Sequence, residues 1–322
     1  MPQRHKVAKF HKIYLSDFFV SWCLGGKKFT LLGGLILLFS FFSCQNNQKK
    51  ETIQNQDLII FHAGSLSIPF MELEKEFEKR YPHINVVREA AGSVSCVRKI
   101  TDLKRDCDII ASADYKVIED FLVPEFADSS IHFATNEMVI VYQEKSKHAE
   151  IISAQTWFDI LKDEEVKYGR SDPNSDPCGY RALLCLELAE KYYSIPELTN
   201  ILTDKDKRYI RPKASDLIAL LQIGELDYVF EYKSVAQQFR FPYIILPDSI
   251  NLSNPNLNEY YNTVSVEING KKPGEKITQR GEAMIYGIAK INNSANAQLF
   301  LDFLFSEAGK SIIEKNGQEF ID

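Results

Sequence analysis

The run S-D-P-N-S-D-P-C-G-Y-R, Ser171 to Arg181, sets two Asp-Pro steps, a Gly and a Cys between an apolar, strand-like segment and a periodic helix. Proline fixes φ and glycine admits backbone shapes closed to other residues, so the run reads as a sharp loop. A helix is expected from about Pro177–Cys178, with Ala182, Leu183, Leu186 and Ala189 at helical spacing. A helix start offers unpaired N–H donors and a positive dipole end, which suits an anion. The plain alternative is a capped helix after a turn.

Two further stretches have the same character. H-A-G-S-L-S (His62–Ser67) follows an apolar strand at Asp57–Phe61, and E-A-A-G-S-V (Glu89–Val94) follows a strand at Ile84–Val87. Each feeds a periodic helix, the first through Phe70, Leu73, Phe77 and Tyr81, the second through Val97 and Ile100. In parallel α/β sheets, ligands collect outside the C-terminal strand ends, where these turns sit. Small residues let backbone N–H groups approach a ligand, and Ser adds a hydroxyl. Together the three loops point to an anion site.

The elements that must carry these loops follow in order. Asp108–Ala113 reads as a buried strand, Lys116–Leu122 as a helix, and His132–Tyr142 as one long strand crossing between lobes. Helices are expected at Trp157–Leu161, Glu197–Leu202 and Ser215–Ile223, with strands at Lys167–Arg170, towards Tyr232, and at Tyr243–Leu246. Asn251–Arg280 is polar with one strand-like patch, Val264–Ile268. Ala283–Ala289 reads as a strand crossing back, and Ala295–Lys315 as a final helix with an apolar stripe. No solenoid-type repeat is visible.

The 322 residues suit two α/β lobes, and 45% apolar with 25% charged residues is a globular composition. Lys27 and Lys28 precede the uncharged apolar run Phe29–Ser43, which ends at Cys44. This is the pattern of a secretion signal, short of the roughly 20 residues of a membrane span. Cys44 resembles the lipidated residue of a bacterial lipobox, although Phe41 and Phe42 stand where smaller or aliphatic residues are commoner. A retained membrane anchor is the alternative. The expected organisation is a signal peptide at 1–43, a tether at 44–56, one lobe from 57–135 plus 283–322, and a second from 136–282. Residues 1–43 hold six Lys or Arg and one Asp, leaving 32 basic against 43 acidic residues, a net −11. That charge argues against a nucleic-acid partner but not against a small anion held by local donors. Cys96, Cys107, Cys178 and Cys185 read as small buried residues, with a Cys96–Cys107 disulfide as the alternative. No zinc-ligand spacing is present.

The chain resembles the solute-binding proteins of tungstate/molybdate ABC transporters, the archaeal-type group in particular. The matching stretches are Phe61–Phe70, Arg88–Val94, Phe133–Ile140, Ser171–Arg181, Tyr232–Ala236, and the I-Y-G-I-A strand with its terminal helix. The likeness runs from about Leu58 to the end, shortened between Thr199 and Arg211. It implies a two-lobed periplasmic binding protein fold (type II, α/β) closing over one oxyanion, the lobes joined by two crossing strands. By position the contacts would be Gly64 and Ser65, Ser93, then Asp176, Pro177 and Cys178, and the hydroxyl of Tyr232. In this group two carboxylates approach the metal of the oxyanion. Asp176 matches one of them. The other, a Glu shortly after R-P-K, falls on Ala214, a departure from the pattern. Glu231 and Asp216 are the candidates for the missing oxygen, with Glu231 favoured beside Tyr232, although strand alternation points neighbours to opposite faces. Otherwise the ligand stays tetrahedral.

The implied protein is a monomeric extracytoplasmic lipoprotein. It passes its cargo to a membrane permease with its ATPase and carries no resident cofactor. The rival readings are a receptor for sulfate, phosphate or a small organic acid, and an enzyme with Cys178 as thiolate, His62 as base and Asp176 as orienter. Arg170 and Arg181 read as structural or lobe-closing pairs.

Overall fold

The computed structural model describes residues 56–321. The expected signal segment, Cys44 and the tether up to residue 55 lie outside the described residues.

The first lobe opens with β1 (Gln56–Ala63), a 3₁₀ turn (Gly64–Leu66) and α1 (Ser67–Arg80). It continues through β2 (Ile84–Ala91), α2 (Ser93–Thr101), β3 (Ile109–Ser112), α3 (Tyr115–Leu122) and β4 (Ile131–Thr135). The second lobe is entered on β5 (Met138–Tyr142), followed by α4 (Trp157–Lys162), β6 (Tyr168–Ser171), α5 (Pro177–Tyr193) and α6 (Leu198–Asp206). Then come β7 (Ile210–Arg211), α7 (Ala214–Gln222), β8 (Tyr228–Tyr232), α8 (Lys233–Gln238) and β9 (Tyr243–Ile245). Short helices α9 (Asp248–Asn251) and α10 (Asn258–Tyr261) lead to a hairpin, β10 (Ser265–Asn269) and β11 (Lys276–Arg280). The chain returns on β12 (Ile285–Lys290), and α11 (Ala295–Leu304), α12 (Glu307–Lys315) and β13 (Glu319–Phe320) complete the first lobe.

Each lobe has its own sheet, ordered β13-β4-β12-β3-β1-β2 and β7-β6-β8-β5-β9. β2, β1 and β3 run parallel, as do β7, β6 and β8, which puts their C-terminal ends on one edge. The strands that follow a lobe crossing, β5 and β12, insert antiparallel among them. Because β12 pairs with β4, the two passages between lobes lie side by side. The strands β3 and β8 are buried throughout, as sheets covered on both faces demand. In the first lobe α11 packs on α1 through rings, Phe300 lying 5.2 Å from Phe77 and 6.0 Å from Phe70. Burying each such side chain contributes about 1.5–3 kcal/mol.

Several sequence expectations differ from this arrangement. His132–Tyr142 is two strands in two sheets, broken at Asn136–Glu137, where Asn136 turns its amide onto the Glu137 N–H (3.0 Å). The terminal helix is two helices, because Ser306 caps a fresh start by accepting from Gly309 N (3.4 Å). The polar stretch before β12 holds a hairpin and two short helices rather than one strand-like patch. All four cysteines are buried and free, with the Cys96 thiol on His62 O and the Cys107 thiol on Ile109 O, so the Cys96–Cys107 disulfide is not formed.

Candidate functional site

Three strand ends of the first lobe each face a helix start or helix face of the second. At the end of β1, a methyl group on Gly64 would lie 2.9 Å from Lys213 Cγ and 3.1 Å from Ser215 Oγ, at the start of α7. After β2, a methyl on Gly92 would sit 2.2 Å from Ser175 O and 3.0 Å from Asp176 Cβ, and Ser95 N donates to Ser175 O (3.1 Å). After β3, Ala113 O accepts from Arg181 Nη1 (2.6 Å) and Asp114 pairs with Arg181 Nη2 (2.9 Å). The lobes therefore touch at all three strand ends, and Gly92 is glycine because a backbone carbonyl occupies the place of its side chain.

The two walls differ chemically. On the first lobe neither the Gly64–Leu66 turn nor α2 has a side-chain cap, so neither start has its N–H donors satisfied by a side chain. On the second lobe α5 is capped by Asp176, whose Oδ1 accepts from Cys178 N (3.0 Å) while Oδ2 accepts from Ala214 N (2.9 Å) at the start of α7. The expectation of free donors at the start of α5 is thus altered. Pro177, at the first helical position, has no N–H, the next donor is taken by Asp176, and the loop presents a carboxylate. Burial pushes the Asp176 carboxyl up to about 6, against the pull of the Ala214 and Cys178 N–H groups.

Glu231 is wholly buried beside this cap. Its Oε1 accepts from its neighbour's backbone, Tyr232 N (2.8 Å), and lies 3.8 Å from the Cys178 thiol, while its Oε2 has no hydrogen-bond partner. Burial raises its pKa to about 8, the Tyr232 N–H opposing and the Asp176 charge adding to the rise. Asp216, the other candidate, is about half exposed and paired with Lys213 (3.2 Å) on the surface side of α7.

The hydroxyls complete the lining. Ser65 Oγ bonds Tyr286 Oη (3.0 Å), Ser93 Oγ accepts from Ala113 N (3.0 Å), and Tyr232 Oη accepts from Arg181 Nη1 (3.1 Å). The Tyr232 and Tyr286 rings, one from each lobe, lie 6.1 Å apart. Among the described residues no cluster of His, Cys, Asp and Glu is arranged to hold a bare metal ion.

Residues 58–319 match the family described as bacterial extracellular solute-binding protein. The chain belongs to that family. A solute-binding protein of Petrotoga mobilis, otherwise uncharacterized, is 49% identical over 82% of this chain and 84% of its own length. The molybdate/tungstate-binding protein of Pyrococcus abyssi is 41% identical over 90% of this chain and 92% of its own. Among solved structures, the periplasmic molybdate-binding protein of Azotobacter vinelandii superposes with a TM-score of 0.59 at 16% identity, over 82% of this chain and all of that one. The sulfate-binding protein SubI of Mycobacterium tuberculosis does so at 0.57 and 12% identity, over 83% and 88%. Those two likenesses speak for the two-lobed fold.

A solute-binding protein of this family is a receptor, not an enzyme. The geometry agrees on the residues of the rival reading. Burial, with the Glu231 and Asp176 charges, raises the Cys178 thiol well above its ordinary value, the opposite of an activated thiolate. His62, lowered to about 4 by burial, bonds Ala63 O (2.9 Å) through Nδ1 and stands beside Arg88 (3.3 Å) through Nε2. Arg170 is spent on Asp206 (2.6 Å). Sequence reasoning missed Tyr286, Asn136 and Asp114 and left Arg181 outside the site. The quoted strand I-Y-G-I-A and the segment F-A-T-N-E contain the first two, but no local pattern links either to Ser65 or to the cleft.

Proposed function

We propose that this receptor binds molybdate or tungstate between its lobes, with Gly64, Ser65, Ser93 and Tyr232 as donors and with Asp176 and Glu231 turned to the metal. Pro177 and Cys178 shape the second wall. The observation that carries the reading is the unpartnered, wholly buried Oε2 of Glu231 next to the Asp176 cap. Once ionised, that pair repels a sulfate or phosphate oxygen. A metal centre able to accept further oxygen ligands is attracted to it, and supplies the charge that lets Glu231 ionise. Glu231 also offers the second carboxylate that Ala214 lacks. The names of the relatives in Pyrococcus abyssi and Thermococcus kodakarensis support the same cargo. The oxyanion is cargo, and no resident cofactor is assigned.

The proposal extends to the setting. The signal at 1–43, lipidation at Cys44, a tether up to 56, lobes at 57–135 with 283–322 and at 136–282, a monomeric state, and delivery to an ABC permease with its ATPase are one consistent assignment. Within the described residues no helix is long and apolar enough to cross a membrane.

Thermal unfolding of the chain from about residue 57, alone and with tungstate, molybdate, sulfate or phosphate, tests the cargo. A ligand at roughly a thousand times its Kd adds about 4 kcal/mol of stability, several degrees in a protein of this size. The expected result is a shift with tungstate and molybdate only. A shift with sulfate or phosphate alone would reassign the specificity, and no shift with any of them would remove the oxyanion reading.

A further inference from the structure

We propose that Ser65, Ser93 and Tyr232 are locked as hydrogen-bond donors towards the bound oxyanion, and that Asn136, Tyr286 and Arg181 are the positioning residues that set this polarity. The inference rests on the contacts assigned above and adds the groups behind them.

A hydroxyl has one proton and two acceptor lone pairs. When a donor that cannot reverse its role occupies a lone pair, the hydroxyl proton must point elsewhere. Ser93 Oγ accepts from the backbone N–H of Ala113 (3.0 Å), which has no acceptor form. Tyr232 Oη accepts from the guanidinium of Arg181 (3.1 Å), a side chain with donors only. Ser65 Oγ accepts from Tyr286 Oη (3.0 Å), which itself accepts from Asn136 Nδ2 (3.0 Å).

The amide of Asn136 is pinned as well. Its Oδ1 faces the N–H groups of Glu137 (3.0 Å) and Ser234 (3.3 Å), so its nitrogen has to face Tyr286 and Ser234 Oγ (2.7 Å). The relay therefore runs one way, from the Asn136 amide through Tyr286 to Ser65, and leaves the Ser65 proton for the cleft. All these side chains are buried, which keeps bulk solvent from the roles. Orientation is settled on folding and closing, not at the moment of binding, which is preorganisation in favour of affinity. The oxygens that meet these three hydroxyls must be acceptors. A deprotonated oxyanion oxygen accepts from them fully, whereas an oxygen bearing a proton accepts more weakly and brings a proton that these hydroxyls, already donating, take up poorly.

Calorimetric titration with sodium molybdate and sodium tungstate tests the relay through Ser65→Ala, Tyr286→Phe and the double variant. A hydrogen bond to a charged group places the loss for Ser65→Ala at about ten- to a hundredfold. Tyr286→Phe is expected to weaken binding by about three- to tenfold in the native background and by less than about twofold once Ser65 is Ala. A residue that merely props up the fold would cost the same in both backgrounds, and that additive result would overturn the inference while leaving the Ser65 contact standing. Asn136→Asp keeps the shape but removes the donor, and should weaken binding at least as much as Tyr286→Phe. Native affinity in that variant would also overturn the relay. If Ser65→Ala and Tyr232→Phe both bind like the native protein, the contact assignment itself fails. Unfolding midpoints without ligand, within about 3 °C of native, verify that each variant is folded.

Discussion

Two buried arginine–aspartate pairs flank the central loop and do different work. Arg170 grips Asp206 with two bonds, Nε to Oδ2 at 2.6 Å and Nη2 to Oδ1 at 3.2 Å, and joins β6 to α6 inside the second lobe. Arg181 reaches from α5 across the cleft to Asp114 (2.9 Å), where Tyr180 Oη also donates to the same carboxylate (2.6 Å). Both guanidinium groups are almost fully buried. A pair inside one lobe exists in every folded molecule and acts on stability. A pair across the cleft is parted by any opening of the lobes, so under the proposed binding between them it acts on affinity. The same chemistry is read out in different measurements because of where the chain places it.

The comparison breaks most visibly at Asp206. Asp206→Asn strands a buried guanidinium, which costs about 3–5 kcal/mol, so the unfolding midpoint should drop by roughly 10 °C with molybdate affinity held near native. Asp114→Asn keeps the cap on Lys116 N (3.0 Å) but removes the cross-cleft charge. Affinity should fall by about a hundredfold while the ligand-free midpoint moves little. If the two variants exchanged signatures, the division between folding pair and closing pair would be wrong.

Gly92→Ala sharpens the same point sterically. Its methyl would lie 2.2 Å from Ser175 O, a backbone atom on the opposite lobe. Overpacking of about 1–3 kcal/mol predicts a loss of affinity of roughly five- to a hundredfold in titration calorimetry, with no penalty in the open form.

A pH effect of smaller size follows from Glu231. If opening the cleft exposes this carboxyl, it ionises near the ordinary 4.5 there, whereas burial raises it to about 8 in the shut form. Between those values the shut form holds a proton that the open form has lost, so raising pH favours opening when no ligand is present. Small-angle scattering should show the ligand-free protein expanding from pH 5 to pH 8, and Glu231→Gln should flatten that trend. The smallest effect is at Cys178, whose raised thiol pKa predicts negligible alkylation at neutral pH, with or without molybdate. Rapid labelling would contradict the buried setting on which the whole comparison rests.

Much of the site's scaffold is local, and local features were legible. The D-P-C-G run announces a loop, and Asp before Pro announces a capped helix start. Each Gly-Ser turn announces a strand end meeting a helix. These signals act between residues a few positions apart, so one sequence suffices to read them. The limits were equally physical. Alternation along β8 suggested that Glu231 faces away from the site, yet both faces of that central strand are interior, and alternation cannot choose between them. The helix dipole at Pro177 suggested donors, and the cap reversed the sign of what the loop offers.

By itself the amino-acid sequence determined the strand–turn–helix units, the glycine and serine turns and the capped start of α5, because each is decided by contacts within about one helical turn. Only the tertiary structure decided that Ser65 meets Tyr286 across 221 residues, that Arg181 closes on Asp114, and that Glu231 is buried with one oxygen unpartnered. Those outcomes depend on how two sheets pack and shut against each other, and no short-range pattern encodes the distance between residues that only packing brings together.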